Sequence, residues 1–110
     1  MSVKFTSHVG EIKRNVEQNM KFAAEIIGGM AEGYAKGYAP VDTGNLRNSI
    51  SHATEDNGHT VVIGTNVQYA PYQELGAPNA HVPAHPFLRP AIENHISEYR
   101  EVLKRELRRG

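Results

Sequence analysis

Between Val9 and Tyr38 the apolar residues return every three or four positions, as Val9, Ile12, Val16, Met20, Ala23, Ile27, Met30, Tyr34 and Tyr38, with Glu11, Lys13, Arg14, Glu17 and Lys21 between them. That period predicts one long amphipathic helix. At about 1.5 Å per residue it would reach about 45 Å, more than the diameter of a domain that so short a chain can build. Part of it should therefore project or meet a partner. Gly28-Gly29 lies inside the pattern, where each glycine costs about 1 kcal/mol, so the reading admits a bend there or two helices. Gly29, Gly33 and Gly37 fall four apart with Ala31, Ala35 and Ala39 interleaved. The second half of the helix should thus approach another backbone closely. Its own sheet is the first expectation, and a helix of a neighbouring subunit the alternative.

Pro40 ends the helix, since it biases Ala39 away from helical geometry and cannot extend the ladder. Asp42 and Thr43 are good capping residues for a short helical turn that follows. Ile50 to Glu55 and His59 to Gly64 read as two strands joined by Asp56-Asn57-Gly58, residues that tolerate a positive φ. Val61 and Ile63 face one way and Val62 the other, so the second strand should be central and the first, with Ser51, His52 and Thr54, peripheral. From Val67 to Leu75, Pro71 limits any helix to a turn or two. Pro78, Pro83 and Pro86 bound an irregular loop from Gly76 to His85. A C-terminal helix is expected from Pro90 to Arg108, with Ile92, Ile96, Tyr99, Leu103 and Leu107 as its apolar stripe and Glu101 placed to pair with Arg105. These elements predict one α+β domain over residues 1–110, a small mainly antiparallel sheet packed by a long N-terminal helix and a C-terminal helix.

Twelve basic and twelve acidic residues cancel, so no net charge draws the chain to nucleic acid or an anionic membrane. Neither a signal-peptide h-region nor a run of about 18 apolar residues is present, and a soluble protein made in the cytoplasm is expected. The absence of cysteine removes disulfides, thiolate metal sites and cysteine nucleophiles. Of the six histidines only His81 and His85 stand close, but in a proline-rich loop rather than on a helix face. A zinc site there would need a third ligand from His52, His59, His95 or Glu74. A small metal-dependent hydrolase built on His81 and His85 is accordingly the secondary reading; exposed polar side chains, sensitive to pH at an interface, are the plainer one. Ser49 lacks a nucleophile elbow, and no phosphate-binding glycine motif occurs. Arg100, Lys104, Arg105, Arg108 and Arg109 alternate with Glu98, Glu101 and Glu106, which dilutes any phosphate-binding patch.

Three segments carry a resemblance. Ala39-Pro40-Val41-Asp42-Thr43-Gly44-Asn45-Leu46-Arg47-Asn48-Ser49-Ile50, then Tyr69-Ala70-Pro71-Tyr72-Gln73-Glu74-Leu75-Gly76, then Pro86-Phe87-Leu88-Arg89-Pro90-Ala91 stand in the order and spacing seen in the tail-component family of long-tailed bacteriophages, with the same hairpin between the first two. The chain resembles that family from about Val9 to its C-terminus. It departs at Leu75, where an aromatic is common, and in the Pro- and His-rich loop from Ala77 to His85.

The resemblance implies an α+β virion protein of the neck, a head-tail joining or tail-completion subunit repeated as a ring, sixfold to match tail symmetry. DNA would pass through its channel without sequence-specific binding. It further implies neighbouring neck and tail proteins as partners, synthesis in the bacterial host cytoplasm, and no catalytic residues; no cofactor, metal or membrane contact is expected. The motif positions Pro40, Asp42, Thr43, Gly44, Leu46, Ser49, Tyr69, Ala70, Tyr72, Glu74, Gly76, Pro86, Phe87, Arg89 and Pro90 are expected to serve folding and assembly, while Gly29, Gly33 and Gly37 are the candidate subunit contact of the alternative given above for the glycine face. Tyr69, Tyr72 and Phe87 are expected in the core. Glu74, a charge among apolar neighbours, should have a specific partner, Arg47 or Arg89, within the chain or across subunits.

Overall fold

A computed structural model describes residues 1–6, 14–40, 44–77, 79 and 83–109. Among these, β1 (Ser2–Thr6) precedes α1 (Arg14–Tyr38), α2 (Gly44–Ser49), β2 (Ser51–Glu55), a 3-10 turn at Asp56–Gly58, β3 (Thr60–Gly64), α3 (Ala70–Leu75), α4 (Leu88–Glu93) and α5 (Ile96–Leu107). The fold is α+β, as the patterning predicts. The sheet is antiparallel throughout in the order β1-β3-β2. The strand with apolar residues on both faces is thus the central one, and Val61 and Ile63 are buried.

The third strand is an addition to the sequence reading. Ser2–Thr6 alternates exposed and half-buried positions, with Val3 opposite Ile63 and Phe5 opposite Val61 on the inner face. Five residues at the start of the chain give too short an alternation to stand out without their partner strand. Gly64 lets this strand close, because a Cβ there would lie 2.5 Å from the Met1 carbonyl oxygen.

Helix α1 runs from Arg14 to Tyr38 with no break at Gly28-Gly29. Tertiary packing overrides the glycine cost: Ala24, Ile27, Ala31 and Ala35 are all buried in one cluster with Val61, Ile63 and Phe87. Residues 9–13, the expected first turns, lie outside the described residues. The hairpin lies along α1 between about Met20 and Glu32, and at one end Gly58 at φ +88° sits against Met20 and Lys21 so closely that a Cβ would be 2.9 Å from the Lys21 backbone. Helix α5 runs antiparallel to α1: Glu98 meets Tyr34 near one end, and the Arg109 carbonyl accepts from Asn19 near the other. The result is elongated, with extents of 52 × 23 × 21 Å.

The single C-terminal helix of the sequence reading divides into α4 and α5 at Asn94-His95. Pro90 is the third residue of α4 rather than a helix start, a first-turn site where its missing N–H costs nothing. His95, at φ −129° and ψ 18°, leaves the helical path and stacks on Tyr34 with ring centroids 3.5 Å apart. This break rotates the stripe. Tyr99, Val102 and Glu106 are the buried residues of α5, whereas Leu103 and Leu107 are half-buried. Glu101 pairs with Lys104 at 3.7 Å rather than with Arg105, which turns to Glu106 at 3.3 Å.

Tyr99 is the largest fully buried side chain among the described residues. It meets Phe5 edge-on at 5.9 Å and donates its hydroxyl to the Ala91 carbonyl at 2.5 Å, and burial raises its pKa far above the usual phenol value. It therefore joins β1, α4 and α5. Truncating Tyr99 to Ala should lower unfolding stability by about 3–5 kcal/mol in chemical denaturation. Leu103→Asp, at a half-buried site, should cost clearly less; the reverse ranking would contradict this packing.

Candidate functional site

The first motif segment turns the chain from α1 into the sheet. Pro40 follows the end of α1, where the Ala39 amide still donates to the Ala35 carbonyl at 2.9 Å. Asp42 and Thr43, the expected caps, lie outside the described residues. Gly44 opens α2 and Leu46 is fully buried. The Ser49 hydroxyl lies 2.6 Å from the Leu46 carbonyl, to which it donates, and 2.5 Å from the Thr65 hydroxyl, whose oxygen accepts the Val67 amide at 3.1 Å. Ser49 thus ties α2 to the segment leaving β3.

The second and third segments meet through Glu74. Its carboxylate is only 5 % exposed and accepts three backbone N–H groups, those of Phe87 at 3.0 Å, Leu88 at 2.8 Å and Arg89 at 3.2 Å. These amides open α4 and have no partner within the helix, so a carboxylate offers them charge-assisted acceptors. The expectation of an arginine partner is corrected. Arg89 carries its guanidinium outward, 3.8 Å from Glu93, and gives Glu74 only its backbone amide. Around this hold, Ala70, Phe87 and Leu88 are buried, Gly76 ends α3 at φ +77°, and Pro86 is exposed. Tyr69 is half-buried against the core, but Tyr72 is 59 % exposed and so does not fill it. Leu75 beside it is 62 % exposed.

The outer face of α1 is the second feature. Gly29, Gly33 and Gly37 do not approach the sheet. A Cβ added at any of them meets nothing within 4 Å, because the alanine row, Ala31, Ala35 and Ala39, takes the buried side. Phe22 is 55 % exposed on the same stripe, and Ile26 and Met30 flank it half-buried. An outward helix face is ordinarily charged; along this line it carries an aromatic ring and bare backbone.

His52 and His95 are both held by side chains of α1, and the sequence reading placed both among exposed polar residues. His52 projects from β2 between Glu32, at 3.0 Å from Nδ1, and Glu25, at 3.2 Å from Nε2. Burial works against its charge, but the hydrogen bonds and charges of the two carboxylates outweigh it, and its pKa is raised above 6.5. The Glu32 pKa is lowered: burial opposes this, while hydrogen bonds to His52 and Lys36 prevail. His95 accepts or donates to the Tyr38 hydroxyl at 2.8 Å through Nε2 and bonds Glu98 through Nδ1. The Tyr34 hydroxyl donates to Glu98 at 2.6 Å, which raises the phenol's pKa and lowers the carboxyl's. A signal for the first site was present in the sequence. Glu25, Gly28 and Glu32 stand at helical spacings of three and four on one face, and strand alternation turns His52 inward.

His85 lies 3.2 Å from the Tyr38 carbonyl through Nε2, and its amide donates to the Gln73 carbonyl at 2.7 Å; His81 is outside the described residues. Among the described residues no group of three His, Cys, Asp or Glu is placed to hold a metal ion, and no helix is long and apolar enough to cross a membrane. At the C-terminus Glu106 is buried between Arg105 at 3.3 Å and Arg109 at 3.4 Å.

The model of the family described as "Bacteriophage HK97-gp10, putative tail-component" matches residues 3–76. The match takes in β1, which the resemblance did not include, and ends at Gly76, before the Pro86-Phe87-Leu88-Arg89-Pro90-Ala91 segment. No curated protein and no solved structure matches significantly.

Glu74 joins the matched portion to the C-terminal helices. Glu74→Ala should therefore cost at least about 2 kcal/mol in denaturant unfolding, because three amides lose their acceptor. Arg89→Ala, which removes an exposed pair, should cost no more than about 1 kcal/mol. Equal losses would assign the hold to the Arg89 side chain instead.

Proposed function

The chain belongs to the HK97-gp10-like tail-component family of bacteriophages, and from that premise we propose that it is a non-catalytic subunit of the virion neck. As a phage structural tail protein it works by occupying a place in the particle. In this reading it is a head-tail joining or tail-completion protein, one domain per chain, repeated as a closed sixfold ring whose channel passes DNA without reading its sequence. Neighbouring neck and tail proteins are its partners, and it is made in the host cytoplasm.

The observation that supports a ring is the outer face of α1. A helix of 25 residues spends its alanine side on its own core and presents Gly29, Gly33 and Gly37 bare to the outside. Contacts between different patches of identical subunits close into rings when the rotation allows, and each stable contact buries on the order of 1,200 Å² or more. We assign the glycine line to such a contact, where a neighbouring backbone can approach α1 without meeting side chains. The motif residues from Pro40 to Ser49, Tyr69 to Gly76 and Pro86 to Pro90 then frame the subunit, and Tyr72 and Leu75 add exposed apolar surface at its rim.

Gly33→Leu separates folding from assembly. A Cβ added at Gly33 meets nothing within 4 Å among the described residues, and leucine favours the helix by close to 1 kcal/mol over glycine. The isolated variant should melt no lower than the parent, yet particles carrying it should fail to join heads to tails. Normal infectious titre from a correctly folded Gly33→Leu protein would remove the glycine line from the interface.

A further inference from the structure

We propose that His52 is a proton-operated latch that fastens the edge strand β2 to α1. Among the described residues strand β2 has one hydrogen-bonded neighbour in the sheet, β3, and it is fastened to α1 by side chains that reach the helix. His52 crosses that gap. Its ring lies over Gly28, where a Cβ would collide with the imidazole Cδ2, so the helix has left a hollow for the ring. One nitrogen faces Glu32 and the other Glu25, seven residues apart on the same face of α1.

Only the imidazolium carries two N–H donors. The charged ring satisfies both carboxylates at once. The neutral ring has a single donor, and whichever carboxylate it abandons then faces a nitrogen lone pair. Two anions held against one neutral ring repel it, so deprotonation loosens β2 from α1 rather than leaving the contact intact.

From α1, Lys36 bonds the second oxygen of Glu32 at 3.3 Å and holds that carboxylate in place. Within the sheet, His52 lies opposite Ile63, while Lys4 and Glu55 pair with each other at 3.1 Å. His52 also borders a cavity of about 410 Å³ shared with Met1, Ser49 and Thr65. There the Met1 amine is held by the Thr65 carbonyl at 3.0 Å. Among these side chains His52 is the one that ordinarily titrates near neutrality.

The sign follows from the two displaced titrations. His52 has its pKa raised above 6.5, so its contribution is fully present below 6.5 and is lost as pH rises through the folded value. Glu32 has its pKa lowered from 4.5, so its contribution is present above 4.5 and is lost as pH falls through the folded value. The latch is therefore tightest between 4.5 and 6.5 and opens on the alkaline side. Opening frees the strand on the exposed edge of the sheet, where unpaired backbone groups are available to another chain.

Two measurements on the full chain test this. In the first, nuclear magnetic resonance follows the His52 ring across pH in the parent and in Glu25→Gln/Glu32→Gln. The parent should titrate above 6.5 and the double variant lower. In the second, the parent and His52→Gln are melted between about pH 6 and 8. The parent should lose melting temperature with rising pH more steeply than the variant, and its β2 amides should lose exchange protection over the same range. A parent His52 that titrates at or below 6.5, or equal melting slopes for parent and His52→Gln, overturns the latch. Should His52→Gln fail to fold, the titration of the parent and its response to the two Glu→Gln changes still decide the matter.

Discussion

Twenty-five residues of helix cannot be covered by three strands of five, and the structure is organised around that mismatch. Helix α1 spans about 37 Å, whereas each strand reaches about 17 Å. The hairpin therefore takes one stretch of α1, around Met20 to Glu32, and α5 runs back along the helix from Tyr34 to Asn19. Both approaches depend on small residues. Ala24, Ala31, Ala35 and Ala39 are buried without bulk, and Gly28 admits the His52 ring. With two sides used, the third is left outward as Phe22, Gly29, Gly33 and Gly37. The same shortage of covering surface that shapes the fold leaves the line proposed to meet a neighbour.

Much of this was legible in order and kind because it rests on local rules. Helical period, proline punctuation and a turn of Asp56-Asn57-Gly58 fix where elements begin and end, and the positive φ values at all three turn residues agree. The apolar Val61-Val62-Ile63 run identifies the central strand because a strand covered on both edges and one face excludes water from most of its length. The division at His95 was hidden because it depends on Tyr34, 61 residues away in the chain, and a one-dimensional stripe cannot show a partner that rotates it. The strand β1 was hidden for the same reason. Its alternation has meaning only once Val61 and Ile63 stand opposite.

The candidate site shows the same limit. Glu74 was recognisable as a charge needing a partner, but sequence reasoning looks for opposite charges among side chains, and the partners here are three backbone amides. Helix starts are cations in effect without being residues, so they leave no letter to read. The glycines were legible as a surface for close approach, but not which surface. Their spacing is equally compatible with facing the sheet, and the alanines beside them decide it by turning inward. In the reading proposed above, the motif residues build a rigid subunit and the featureless line beside them builds the assembly.

The central claim is that the outer face of α1 is covered by a neighbouring copy in a closed ring. A cryo-electron microscopy reconstruction of the neck in the intact particle tests it most directly. The account predicts several copies of this chain related by rotation about the tail axis, six for a ring matched to the tail, with density of the adjacent subunit against Gly29, Gly33 and Gly37. A single copy in the particle, or a ring in which that line of α1 faces solvent, would contradict it.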